Sequence, residues 1–152
     1  MLDYVAPIVL SSKLEIPYHY YAGPIAERFY SEIAENRRIM GIRCPKCDRV
    51  LMPPRGTCGR CFSELTEWVE VGPLGTLINY TVVHYREPIQ PMEPPFAYGL
   101  VRLDGTKEAL LHLLGGVGPS EIKLGMRVQP VFKEEPMGNI LDIECFSPVS
   151  GG

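Results

Sequence analysis

The sequence contains two closely spaced Cys-x-x-Cys pairs, which constrain its fold more than any other feature. The four cysteines are Cys44, Cys47, Cys58 and Cys61. Two residues between the cysteines of each pair allow a tight turn to direct both thiols at one point, and four thiolates at about 2.3 Å complete the tetrahedral shell of Zn²⁺. The pattern therefore predicts one zinc site formed by two knuckles. Because no coordination position is left for water or substrate, we expect a structural metal.

Other interpretations of the cysteine pairs point to different chemistry. Two disulfides would suit a secreted protein, but the first ten residues lack the basic start of a signal peptide. A thioredoxin-like redox pair would need a βαβ context, which the surrounding pattern does not predict. Iron bound by the same four thiolates stays open, since tetrahedral sulfur ligation suits both metals. No apolar run approaches the ~18 residues of a membrane span, so we expect a cytoplasmic protein.

The charge of the chain is divided unevenly. Residues 37–60 hold seven basic residues against Asp48 alone, a formal charge of +6, although the whole chain carries −3. Four thiolates and one Zn²⁺ would leave this module at about +4 and the rest of the chain at about −9. One interpretation is ordinary solvated arginine on a small module. The other is an anion site for nucleic acid or for the phosphates of a small ligand.

The segment before the cysteines predicts an extended arm followed by an amphipathic helix. Proline and aromatic residues occur without a period up to about Tyr21, and apolar residues then recur at helical spacing over residues 24–40. Pro24 suits the start of this helix and Gly41 its end. The apolar stripe consists of Ile25, Phe29 and Ile33. This stripe must be buried, either on the protein's own body or on another protein.

The C-terminal half predicts a small closed β-barrel. Strand-like segments rich in β-branched and aromatic residues occupy residues 76–85, 96–103, 108–114, 126–133 and 140–146. Asp104-Gly105 is a hairpin signal, and Pro130 indicates an edge or a bulge in the fourth strand. Five short strands with almost no helix favour the five-stranded oligonucleotide/oligosaccharide-binding (OB) fold.

Together these patterns predict a mainly β protein with three parts. The first, residues 1–40, contains the N-terminal arm and amphipathic helix. The second, residues 41–68, is a rubredoxin-like zinc ribbon. The third, residues 69–152, is the five-stranded OB-fold domain.

The order of several motifs resembles that of the zinc-ribbon/OB-fold acyl-CoA-associated proteins. The helix precedes Gly-Ile-Arg-Cys-x-x-Cys at residues 41–47, Pro-Pro-Arg at 53–55 precedes the second cysteine pair, and Thr-Val-Val-His follows at 81–84. The resemblance covers residues 20–147. It implies a small accessory subunit of a thiolase, or of an acyl-CoA hydratase or a hydroxymethylglutaryl-CoA synthase. More finely, it resembles the small subunits of thiolases that act in aromatic acyl-CoA degradation.

The resemblance also implies that the partner enzyme carries the catalytic nucleophile. The sequence has neither a Gly-x-Ser-x-Gly nucleophile elbow nor a Walker loop, so we expect no catalytic residue in this chain. Coenzyme A thioester would then be bound together with the partner. The candidates to meet its phosphates are Arg37, Arg38, Arg43 and Arg55, because guanidinium groups bind phosphate through a bidentate fork.

Four other features have structural and functional interpretations. Cys145 alternates with Leu141 and Ile143 and is interpreted as a buried core thiol rather than a nucleophile. His84 and His112 lie on predicted strands and are interpreted as hydrogen-bonded sheet residues. The glycine-rich loop at residues 115–120 could hold a phosphate, but is mainly a connection.

An alternative function is binding of single-stranded nucleic acid. Zinc ribbons and OB-folds are both used in this way, and the predicted ribbon is basic. The aromatic residues available to stack on bases are Tyr80, Tyr85, Phe96 and Tyr98. The acidic barrel argues against this function, because binding along a phosphate backbone requires a positive groove.

Overall fold

The computed structural model describes residues 7–149, which form one α-helix and eight β-strands. Residues 1–6 and 150–152, assigned above to the arm and to the OB-fold domain, lie outside the described residues. The elements are α1 Pro24–Asn36, β1 Ile39–Arg43, β2 Val50–Leu51, β3 Glu67–Val71, β4 Gly75–Val83, β5 Phe96–Leu103, β6 Leu110–Leu114, β7 Arg127–Phe132 and β8 Ile143–Pro148. The predicted fold class, a mainly β protein with an N-terminal helix, is confirmed. Within residues 7–149, no helix is both long and apolar enough to cross a membrane.

Helix α1 begins where the sequence predicts and ends earlier. Pro24 is its first residue and Asn36 its last, and Arg37 follows in the left-handed conformation with φ of 51°. The predicted continuation to residue 40 and the stop at Gly41 are wrong, because that segment forms β1. A short apolar strand and a last helical turn give the same local pattern, and here pairing with β3 decides between them.

The apolar stripe of α1 packs on the protein's own body. Phe29 and Ile33 are buried, and Ile25 packs against the core of the ribbon. The helix contacts β1 and the 3₁₀ turn before β8. Of the two alternatives for this stripe, the structure therefore shows the internal one.

Strands β2, β1 and β3 form an antiparallel sheet in that order. Gly41 lies in the central strand, where an added Cβ would be 2.6 Å from Val50 Cγ1 and 3.0 Å from the Leu51 carbonyl oxygen. The glycine at this position allows close packing of the sheet.

Strands β4 to β8 form a closed barrel in the order β4-β5-β6-β8-β7. The five-stranded OB-fold predicted from the sequence is confirmed. The hairpin signal is also confirmed, with Gly105 at φ of 88° in the turn after β5. Of the edge and the bulge predicted at Pro130, the structure shows the edge, because β4 pairs with β7 only at Arg127 and Val128. The nearby register shift has its extra residue, Glu144, in β8.

Strand β5 has the predicted bounds, whereas the other four barrel strands differ from them by one to three residues at their ends. Strand β4 ends at Val83, so His84 lies in the following loop. Strand β8 begins at Ile143, and the residues before it, Ile140–Asp142, form a 3₁₀ turn. The Asp142 carboxylate accepts three backbone N–H groups at 2.7, 2.8 and 3.1 Å. These bonds replace the ladder bonds that a longer strand would make.

One hydrophobic core joins the helix, the ribbon and the barrel. Its buried members include Phe29, Ile33, Ile39, Val71, Leu77, Val101, Val128 and Phe146. Two polar contacts reinforce the junction. The Thr106 hydroxyl donates to the Val50 carbonyl oxygen at 2.8 Å, and Arg49 donates to the Glu108 carboxylate at 2.7 Å. The ribbon is therefore fixed to the barrel by apolar packing and by hydrogen bonds.

Candidate metal centre and basic surface

The two cysteine knuckles share one backbone geometry. The Cys44 N–H donates to the Arg49 carbonyl at 2.8 Å, and the Asp48 N–H donates to the Cys44 carbonyl at 2.9 Å. The equivalent bonds of the second knuckle, made by the N–H groups of Cys58 and Phe62, are both 2.9 Å. The residue after each pair is left-handed, with φ of 47° at Asp48 and 57° at Phe62. The sequence gives no signal for Phe62, since a bulky aromatic residue rarely adopts this conformation.

The four thiols fit a zinc ion. Their Sγ atoms all lie within 4.8 Å of one another, and the Sγ atoms of Cys44 and Cys61 are 3.5 Å apart. Four sulfurs at about 2.3 Å from zinc are about 3.8 Å from each other in a tetrahedron. Cys44 and Cys58 are buried, and Cys47 and Cys61 are half-buried. This closed donor set is that of a structural site, which holds the two knuckles together.

The thiols perturb each other strongly before any metal binds. The pKa of Cys61 is lowered to about 6, chiefly by the side-chain hydrogen bond with Ser63, whose Oγ lies 3.3 Å from the sulfur. The pKa of Cys47 is raised to about 12, chiefly by its hydrogen bond with Cys61. A bound cation would favour the thiolate form at all four positions, so metal binding would release protons.

The four arginines proposed to meet coenzyme A have different environments. Arg38 lies 2.7 Å from the Glu32 carboxylate, and Arg43 lies 2.8 Å from the Asp48 carboxylate. Both guanidinium groups would have to exchange a partner to bind an anion.

Arg37 and Arg55 are exposed and have no carboxylate within 4.0 Å among residues 7–149. With Arg49 also paired, the positive charge of the ribbon that remains free in the described part of the chain lies on Arg37, Lys46, Arg55 and Arg60. We call these four the unpaired basic residues. Ion pairing thus distinguishes neutralised from unneutralised basic residues, which the sequence alone does not do.

Cys145 does not lie in the core. Ile143 and Phe146 point into the barrel, whereas Cys145 is half-buried and Leu141 is exposed in the 3₁₀ turn. The prediction of a buried thiol on one face with Leu141 and Ile143 is wrong, because the turn and the nearby bulge break the alternation. Burial nevertheless raises the pKa of the Cys145 thiol, which keeps it protonated and poorly nucleophilic.

His112 has the structural role that the sequence predicts. Its Nδ1 accepts the Leu113 N–H at 2.9 Å, which leaves Nε2–H to donate to the Ile140 carbonyl at 3.3 Å. Burial lowers the pKa of His112, so the imidazole is neutral at pH 7. His84 is exposed and lies outside the strands, contrary to the prediction.

The features considered for phosphate or base binding are dispersed. In the glycine-rich loop, the Gly118 N–H donates to the Glu121 carboxylate at 3.2 Å, so an acidic group occupies the donor that a phosphate would use. Among the four aromatic residues, Phe96 is buried in the core, whereas Tyr80 and Tyr98 lie on the outer side of the barrel. Tyr85 is exposed in the loop after β4.

The structure also reveals contacts that the sequence analysis missed. The guanidinium carbon of Arg28 lies 4.5 Å from the centre of the Trp68 ring, a cation–π contact between α1 and β3. Residues 7–21 expose many apolar side chains. Their sequence has no periodic pattern, so it could not show whether these side chains are buried or exposed. Helical spacing could have signalled the position of Arg28 but not its partner on a distant strand.

Two family models match adjacent parts of the chain. The model of the rubredoxin-like zinc ribbon domain of ChsH2 matches residues 31–67, and the model of the C-terminal OB-fold domain of ChsH2 matches residues 68–133. Together they cover about two-thirds of the chain. The two matched regions meet at residues 67 and 68, between the second cysteine knuckle and the barrel.

Two individual proteins are also similar in sequence to this chain. A probable enoyl-CoA hydratase alpha subunit of Thermomonospora curvata is 35% identical over 101 residues, which are 66% of this chain and 31% of that subunit. The chain thus spans about a third of its length. A DUF35 domain-containing scaffold protein of Methanocaldococcus jannaschii is 24% identical over 107 residues, 70% of this chain and 75% of the relative.

Among solved structures, the Ltp2-ChsH2(DUF35) aldolase contains a chain with a TM-score of 0.63 and 28% identity. The match covers 85% of this chain and 98% of that one. The order of ribbon and barrel, the four-cysteine centre and both domain matches all indicate the same family. The chain therefore belongs to the zinc-ribbon/OB-fold family represented by ChsH2.

Proposed function

We propose that the chain is a non-catalytic zinc-binding subunit that associates with a thiolase-type acyltransferase and helps to bind or channel an acyl-CoA thioester. The observation that carries this proposal is the exposed arm at residues 7–21. Because the stripe of α1 is already buried, the arm rather than the helix is the N-terminal surface available to a partner.

The arm exposes eight large apolar and aromatic side chains, with polar residues between them. Their exposed fractions lie between 67% and 89% for Ile8, Val9, Leu10, Leu14, Ile16, Tyr18, Tyr20 and Tyr21. Burying such side chains against a partner would favour association by about 25 cal/mol per Å² of apolar surface removed from water. Exposed apolar patches of this kind mark protein interfaces. The arm therefore supports association with another protein.

The class of partner is inferred from the relatives. One is named as a subunit of an enoyl-CoA hydratase and another as part of an aldolase, and both names point to an enzyme that acts beside a module of this kind. The narrower choice of a thiolase rests on the order of the helix, cysteine and Thr-Val-Val-His motifs described above.

The proposed coenzyme A contacts lie on the ribbon. Arg37 and Arg55 are the stronger candidates, because among the described residues no carboxylate neutralises them. Arg38 and Arg43 would contribute only after leaving Glu32 and Asp48. Phosphate binding by the first two arginines needs no such rearrangement.

The association is tested by mixing the zinc-loaded chain with a thiolase-type enzyme of the same organism, followed by size-exclusion chromatography and acyl transfer assays. We expect co-elution and changed activity. The triple variant Leu10→Ser, Leu14→Ser, Ile16→Ser should weaken binding about tenfold or more. The matched control, Ser11→Ala with Ser12→Ala, alters the same arm without removing apolar surface. Separate elution with unchanged activity would refute the proposal.

The arginine contacts are tested in the same complex. Arg37→Gln and Arg55→Gln should each weaken coenzyme A thioester binding about threefold to tenfold, since a charge-assisted bond to phosphate is lost. Arg86→Gln is the control, because Arg86 is exposed and paired with Glu93 on the barrel side. Equal affinity in all three variants would exclude this placement of the phosphates while leaving the association intact.

A further inference from the structure

An apolar cavity of about 450 Å³ opens at one end of the barrel, and none of the four zinc-site cysteines lines it. Its wall is formed by the ends of β6 and β7, by β8, and by the proline-rich loop at residues 88–95. Leu113 and Leu141 contribute accessible apolar surface and Met92 lies at the opening, whereas Leu114 and Ile143 are almost wholly buried in the core. A volume in the range of about 300–1,000 Å³ with a mostly apolar lining is typical of a small-molecule site.

Local backbone features create this cavity. The 3₁₀ turn directs Leu141 away from the core, and the bulge at Glu144 in β8 places Cys145 on the cavity side. Gly115 is required there, because an added Cβ would lie 2.5 Å from Cys145 Sγ. The cavity is therefore a consequence of how β6 and β8 meet.

Lys133 supplies the positive charge of the cavity wall. It is half-buried, and no carboxylate lies within 4.0 Å of its ammonium group among the described residues. Lys133 is near enough to Asp142 and His112 to lower the pKa of each. Asp142 stays ionised, with its oxygens bound by three backbone N–H groups, and attracts the ammonium group without an ion pair, whereas His112 is neutral. Glu144 also lines the cavity and is exposed.

These groups select one type of ligand. The apolar wall favours a hydrocarbon body, and Lys133 favours an anionic end. The Glu144 carboxylate nearby repels any anion, and it repels a multiply charged group such as a pyrophosphate more than a single carboxylate, because the repulsion grows with the ligand's charge. We propose that this cavity binds a compact apolar monocarboxylate, with the hydrocarbon against Leu113 and Leu141 and the carboxylate at Lys133. The proposal goes beyond the proposed function, since the site is complete within this chain and needs no partner enzyme.

The test uses the zinc-loaded chain with decanoate and decan-1-ol as probes, both below their aggregation limits. Alkylation of Cys145 by N-ethylmaleimide is followed by mass spectrometry of its peptide. Decanoate should slow this reaction in a saturable way, and decan-1-ol should bind about fivefold more weakly, because it lacks the charge that Lys133 meets.

Variants distinguish the contribution of the Lys133 charge to binding from that of the apolar cavity. Lys133→Met should weaken decanoate about fivefold and leave decan-1-ol unchanged, and Lys133→Arg should restore decanoate binding. Leu141→Trp should block both probes by filling the cavity. The control is Lys123→Met, which removes an exposed lysine outside the cavity lining.

Two results would overturn the proposal. They are no protection of Cys145 by either probe, and equal affinity of decanoate for the chain with and without Lys133. Loss of the partner complex would not affect any of these measurements, so the two proposals fail independently.

Discussion

At the residue scale, Asp142 is a buried carboxylate whose hydrogen bonds hold the loop before β8. Burial alone would raise its pKa, but the N–H groups of Met137, Asn139 and Gly138 outweigh that effect and the pKa of Asp142 is lowered. The sequence places an aspartate inside a predicted strand and gives no sign of this role. Short-range pattern cannot show which backbone donors a loop will turn toward a side chain.

Asp142→Asn should lower the free energy of unfolding by about 1–3 kcal/mol at pH 7, because an amide offers one acceptor oxygen to three donors. A carboxylate with a lowered folded-state pKa stabilises the protein above the pKa of the unfolded chain and loses this effect as pH falls through the folded value. The difference between the two proteins should therefore be full above about pH 5 and shrink below about pH 4.

Urea denaturation of both proteins across this pH range measures the effect. Glu135→Gln is the control, since Glu135 is exposed in the same loop. A constant difference between the wild type and Asp142→Asn from pH 7 to pH 3 would contradict the assignment of a stabilising ionised carboxylate.

At the element scale, β1 shows why a helix boundary is hard to predict. Residues 37–41 continue the apolar spacing of α1, yet residue 39 begins a central strand of the ribbon sheet. The preference for a strand arises from pairing with β2 and, above all, with β3, which is distant in sequence and pairs along the whole of β1. Gly41 is explained by the packing of this sheet rather than by a helix end.

Gly41→Ala should destabilise the protein by about 1–3 kcal/mol, because the new methyl group would overlap with Val50 and the Leu51 carbonyl. Gly59→Ala is the matched control. It lies in a cysteine knuckle, has no atom within 4 Å of an added Cβ and lacks a positive φ. Its effect should stay within about 0.5 kcal/mol. Thermal unfolding of both variants measures this difference. Equal unfolding midpoints for the two variants would contradict the packing argument.

At the scale of the whole molecule, the ribbon and barrel share one core, and Trp68 reports on their junction. It is the single tryptophan of the chain, packs against both apolar clusters and lies beneath Arg28. The four thiols bring together two knuckles that have little apolar surface of their own. Metal should therefore control the ribbon more than the barrel, because none of the four thiols lies in the five barrel strands.

Removing zinc with a chelator at neutral pH should shift the Trp68 emission to longer wavelength, because the ribbon loses its crosslink and the indole becomes hydrated. Far-UV circular dichroism should keep most of the barrel signal. Cys58→Ser should reproduce the shift without chelator, whereas Cys145→Ser should bind zinc normally. An unchanged emission after complete zinc loss, measured by metal analysis, would contradict the role of the metal as a brace.

The sequence by itself determined the features that depend on local spacing. Two Cys-x-x-Cys pairs fix ligand number and type, alternating β-branched segments with turn residues fix five barrel strands, and Pro24 fixes the start of α1. Tertiary structure decided what depends on distant partners. It determined which arginines are neutralised, that the helical stripe is internal and the arm exposed, and that Cys145 borders a cavity. The physical reason is that ion pairing, burial and cavities are properties of segments brought together by folding, which no short-range pattern contains.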